Sequence, residues 1–179
     1  MIIRYIPLPD SKSSGVEKLL DTYIQNNFLE KENLLFNNKI VSFKKKDKGI
    51  LLYCIRPIID EGKLQASYKN NKVIPIQEHI FNKVIKKHFK EEKIMVLYFT
   101  SEGKGILEVI YKKQLIHTRN INDRDLERLD EIIYDCSKQI INICSIKEED
   151  WTLIFINKGI DEVKSRYKNI KEMSLVRST

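Results

Sequence analysis

Residues 94–121 read IMVLYF-TSEGKG-ILEVIY-KKQ-LIHTRNI, and this stretch decides the fold. Ile94 to Phe99 is a nearly continuous apolar run, the pattern of a strand covered on both faces. Ser101-Glu102-Gly103-Lys104-Gly105 turns the chain, and Ile106 to Tyr111 returns as a second strand. Lys112-Lys113-Gln114 reverses it again, and Leu115 to Ile121 makes a third. Asn122 then has the chemistry of an N-cap, with Asp123 and Asp125 favouring the positive end of the helix that follows. Leu126, Leu129, Ile133, Cys136 and Ile140 recur at helical spacing and predict a single long helix. Trp151 to Ile156 (WTLIFI) is a further buried strand, and Asn157-Lys158-Gly159 leads into a last helix through Ile160 and Val163. The order is strand, strand, strand, helix, strand, helix.

Upstream, Ile2 to Ile6 is a short strand closed by Pro7 and Pro9. Val16, Leu19, Leu20, Tyr23 and Ile24 predict a helix, while Leu29 to Asn38 is polar and Asn-rich and reads as irregular. Ile40 to Phe43 and Ile50 to Ile55 form a hairpin about the lysine-rich turn 44–49, where Asp47 and Gly49 supply the turn chemistry. Asp60-Glu61-Gly62, a strand from Leu64 to Tyr68 and a reversal at Asn70-Asn71 follow. Ile80, Phe81, Val84, Ile85 and Phe89 make the apolar face of a second helix, with Lys83, Lys86, Lys87 and Lys90 opposite. These elements divide the 179 residues into an α/β lobe at 1–76, a second lobe at 77–168 and a basic tail at 169–179.

Composition narrows the function. The chain carries 32 Lys and Arg against 25 Asp and Glu, a formal charge of +7, with the excess spread over many lysines rather than gathered with arginine and aromatics. Such a distribution fits a solvated surface better than a nucleic-acid groove. Cys54, Cys136 and Cys144 are odd in number and share no metal-ligand spacing, which points to a reducing compartment. The N-terminal run MIIRYIPLPD, broken by Arg4 and two prolines, is not a signal peptide, and no long apolar run predicts a membrane span.

Catalytic patterns are missing. Gly103-Lys104-Gly105 lacks the spacing and setting of a phosphate-binding loop and is explained by a tight turn. Glu108 is a strand carboxylate without a partner, and alternation along ILEVIY puts it on a face open to water. Glu148-Glu149-Asp150 reads as a solvated loop. His117 is the best isolated candidate for a general base, although a histidine within a strand is more often structural. His79 and His88 are nine apart, not the i, i+4 spacing of a helical metal pair. No catalytic, cofactor-binding or metal-ligating residue is therefore assigned, and no cofactor is expected.

The block from Lys93 to Arg166 resembles the second half of actin-like (ribonuclease H-like) domains. In particular it is similar to the cytoplasmic domains of type IV pilus and type II secretion inner-membrane platform proteins. That group includes the L-type secretion protein and the bundle-forming pilus C protein. Arg119-Asn120-Ile121 matches the ending of their third strand, and Trp151 to Gly159 their later strand and turn. The resemblance implies an actin-like mixed sheet flanked by helices. Nucleotide-binding members carry Asp-x-Gly after the first of these strands; here Thr100 occupies the Asp-like position and Glu102 is displaced toward the turn tip. The resemblance thus implies a non-catalytic scaffold at the cytoplasmic face of the inner membrane. Its partners would be the assembly ATPase and other platform proteins, with a homodimer as a further option. A membrane span is expected after the basic residues of 164–177. Two alternatives stay open: a nucleotide-binding actin-like ATPase or ribonuclease H-like enzyme, and a nucleic-acid module using the Lys83 to Lys93 face.

Overall fold

The computed structural model describes residues 1–8, 15–44, 47–56, 75–100, 104–144, 151–157 and 169–173. The expected strand at Leu64 to Tyr68, the Glu102-Gly103 part of the turn, the acidic run 148–150 and the helix through Ile160 and Val163 lie outside the described residues. The chain divides into two compact units, Met1–Pro75 and Ile76–Thr179.

In the first unit, β1 (Ile2–Pro7), β3 (Asp47–Ile55) and β2 (Leu35–Lys44) form an antiparallel sheet in the order β1-β3-β2. Pairing puts Ile6 opposite Ile50 and Arg4 opposite Leu52, so the even-numbered residues of β3 share one face with those of β1. Ile6, Ile50 and Leu52 on that face bury against Leu20 of α1 (Val16–Asn27), with Leu19, Tyr23 and Ile24 packed around them. The helix exists because these apolar positions recur every three to four residues. Two expectations change. Residues 35–38 are not irregular: they continue β2 and pair with Tyr53 to Ile55 and Leu52. Gly49 is not a turn residue either. It lies inside β3, and a Cβ there would sit 2.3 Å from the Tyr5 ring, so the glycine makes room for an aromatic lying across the backbone.

The second unit contains α2 (Ile76–Lys87), β4 (Lys93–Phe99), β5 (Gly105–Tyr111), β6 (Gln114–Ile121), α3 (Asp123–Leu126), α4 (Leu129–Cys144), β7 (Thr152–Ile156) and β8 (Asn169–Met173). The five strands order as β6-β5-β4-β7-β8. β5 runs antiparallel to both β4 and β6, while β7 is parallel to β4 and β8 parallel to β7. Three strands in sequence and a helical crossover to the far side of the first give the actin-like, ribonuclease H-like mixed sheet flanked by helices that the sequence leads one to expect. β4 lies in the middle, which is why Ile94 to Leu97 are all buried and why its residues are apolar on both faces. α2 buries Ile80 and Val84 and packs against β5. α4 buries Leu129, Ile132, Ile133 and Cys136, a spacing that follows one helical stripe.

Details correct the sequence reading here too. The single helix expected from Leu126 is two: α3 ends at Leu126, Glu127 and Arg128 form a turn, and α4 starts at Leu129. Asn169–Met173, expected as the start of a basic tail, is the edge strand β8, with Met173 buried. Lys112 and Lys113 close the β5–β6 hairpin with φ of 46° and 61°. A two-residue loop with positive φ at both positions is the reversal that matches strand twist, usually built from Asn-Gly.

Candidate functional site

In open sheets of this kind ligands bind beyond the carboxyl ends of the parallel strands. That edge is reached by β4 at Thr100, by β7 at Asn157 and by β6 at Asn122. Thr100 donates its backbone N–H to the carbonyl of Lys104 (2.8 Å), which closes the β4–β5 turn. Its Oγ1 is buried without a hydrogen-bond partner. The residue at the Asp-like position is thus a neutral hydroxyl, one donor and two acceptor lone pairs, without the negative charge by which a carboxylate holds a divalent cation. Gly105, taken as part of the turn, begins β5: a Cβ would meet the Phe99 ring at 2.9 Å and Ile121 at 3.1 Å. Its smallness serves packing.

At the end of β6, Asn122 donates its backbone N–H to Asp125 Oδ2 (2.9 Å), the return half of a capping box. Arg119, one of the three residues carrying the resemblance, reaches the same carboxylate at 3.9 Å. Asp125 is thereby committed to capping α3 and orienting Arg119. It is not a free carboxylate at the edge.

His117 stands on β6 facing α4, with Nε2 4.0 Å from the Cys136 Sγ. Cys136 is 2% exposed and His117 half-buried, so the pair joins strand to helix within the unit. Cys54 is likewise buried, and burial pushes its thiol pKa up. Unreactive thiols result. His79 is exposed. His88 is half-buried with Nε2 unbonded, and its pKa is lowered, first by burial and then by Lys171 and Lys87.

Glu108 departs most from expectation. The face expected to be wet is closed: Glu108 is 0% exposed at the centre of β5, between Val96 on β4 and Thr118 on β6. Neither carboxyl oxygen has a hydrogen-bond partner, and burial alone raises its pKa well above 4.5. The reason is topological. A strand one place from the centre of a helix-flanked sheet is covered on both sides. The signal was present in ILEVIY, which is apolar at both even and odd positions.

A polar cluster lies at the opposite, amino edge. Glu91, just before β4, accepts hydrogen bonds from the Lys171 ammonium on β8 and from Thr152 Oγ1 on β7 (3.3 Å). The Lys171 bond holds the Glu91 carboxyl below its ordinary range. This cluster ties the last strand to the first of the sheet. In the first unit an open cleft of 640 Å³ runs along α1, floored by Ile6, Leu19 and Tyr23 and rimmed by Lys18 and Asn26. Among the described residues no three His, Cys, Asp or Glu side chains gather as a metal site, and no helix is long and apolar enough to cross a membrane.

No protein-family model matches this chain, and no curated protein does. Among solved structures it is similar to a Bacteroides thetaiotaomicron protein described as having an actin-like ATPase fold and unknown function. The two share 17% identity at a TM-score of 0.48 over 96% of this chain. This chain spans 64% of that protein's length.

Proposed function

We propose that this chain is a non-catalytic scaffold domain of a pilus-biogenesis or type II secretion platform, which recruits the assembly ATPase to the cytoplasmic face of the inner membrane. The observation that carries the reading is Thr100. The β4 end, where an actin-like site needs a carboxylate, bears a hydroxyl that is buried and unbonded. Asp125, an acid just beyond the end of β6, is spent on the cap and on Arg119. Exposed apolar side chains on the first unit, Leu29, Leu35 and Ile40, support a role in docking another protein.

Two measurements test it. Co-expression with its neighbouring genes followed by affinity capture of this chain should retain the assembly ATPase. Its absence from the captured material would count against recruitment. Titration with ATP and Mg²⁺ in a calorimeter should give no binding heat, whereas measurable binding would return the chain to the ATPase reading.

A further inference from the structure

The C-terminal end of α2 and the β5–β6 turn meet at one surface. The Lys112 backbone N–H donates to the Glu92 carbonyl (2.7 Å), which pins the hairpin tip against the segment between α2 and β4. Phe89 in that segment is 55% exposed, and the Lys113 ammonium lies 5.7 Å from its ring centroid. Lys86, Lys87 and Lys90 are exposed beside it, because Ile80 and Val84 turn the other side of α2 inward. Residues 83–93 hold Lys83, Lys86, Lys87, Lys90 and Lys93 against Glu91 and Glu92, and Glu91 already accepts Lys171. The turn adds Lys112 and Lys113 in left-handed conformations that L side chains adopt at a cost. A large apolar ring thus stands in water at the centre of a lysine field, held there by a turn built from the wrong residues for stability.

We propose that this surface contacts an anionic membrane leaflet, with Phe89 entering the headgroup region while Lys86, Lys87, Lys90 and Lys113 engage lipid phosphates. Two observations, the all-lysine composition and the single aromatic, select lipid over nucleic acid. The cations are all lysine, whose flexible stems let the charge stay at the phosphates while the ring goes deeper. Neither segment contains arginine, whose planar fork reads bases and phosphates bidentately. Phe89 is a single aromatic, and Lys113 occupies a face of its ring that a base would need for stacking. The inference is independent of ATPase recruitment, which is measured without lipid.

The full chain is sedimented with vesicles of phosphatidylcholine alone and with the same lipid mixed with phosphatidylglycerol. Binding is expected to the mixed vesicles only, and to fall as salt is raised. Replacing Lys112→Asn together with Lys113→Gly suits the turn and removes two charges; it should weaken binding about thirtyfold. Phe89→Ser should weaken binding while leaving its salt dependence unchanged. Equal binding to neutral vesicles, no binding to either, or unaltered binding by both variants overturns the proposal. So does salt-sensitive binding of a single-stranded oligonucleotide that the same variants abolish while vesicles are ignored; that result would assign the surface to nucleic acid.

Discussion

A carboxyl group sealed inside a sheet with neither oxygen bonded weakens the fold that contains it, and Glu108 is such a group. The sign follows from its raised pKa. Unfolded, it ionises near its ordinary value of 4.5; folded, it stays protonated well above that. Stability is therefore greatest, as far as Glu108 is concerned, below the ordinary value. It falls by about 1.4 kcal/mol for each pH unit above it, until the folded group ionises as well. Glu108→Leu should raise the stability at neutral pH by about 1–3 kcal/mol. It should also flatten the decline that sets in as pH rises above the ordinary carboxylate range, read from urea midpoints at acid and neutral pH. Equal stabilities for variant and parent across that range would mean that the carboxyl has found a partner. The residue was visible in the sequence and its surroundings were not, because strand alternation describes one strand and burial depends on which neighbours flank it. Thr100 is the opposite case: the type of residue alone, a hydroxyl for a carboxylate, carries its meaning.

Elements with an apolar run or clear flanking turns were the legible ones. β4, β5 and β7 fall within a residue or so of their expected bounds because apolar runs leave few alternatives. β6 does so because the turn Lys112-Lys113 and the cap Asn122 bracket it. Of the edge strands, β1 and β6 were read, but the first part of β2 and all of β8 were hidden. Residues 35–38 and Asn169–Met173 carry Asn, Lys and Glu, since an edge strand with a wet side needs no apolar pattern and gains from charge. Asn169–Met173 is recognisable only from its partners, Lys171 bound to Glu91 and Met173 buried. The β5–β6 turn was foreseen in place but not in geometry. Its two left-handed lysines predict a gain on substitution: Lys113→Gly should stabilise the chain by about 0.5–1 kcal/mol, seen as a higher melting temperature. A lower melting temperature would show that the Lys113 side chain contributes more, through Phe89, than its backbone costs.

At the scale of the molecule, +7 of formal charge is distributed over a chain of 179 residues. Like charges repel more strongly in the compact state, so moderate salt should raise the melting temperature until screening is complete, and a fall on adding salt would contradict this. The chain divides into compact units at Pro75–Ile76, and strand pairing in the second joins segments far apart in sequence. That pairing has a kinetic side. β4 meets β5 across a short turn, but its other edge waits for β7, whose Thr152 pairs with Ile94 fifty-eight positions earlier (152 − 94). Local contacts form first and distant ones late. During synthesis the three-stranded meander is therefore complete while the apolar strand IMVLYF still presents an unpaired backbone edge to solvent. The segment that makes the best core strand is, until residue 156 has emerged, the chain's greatest risk of sticking to its own copies.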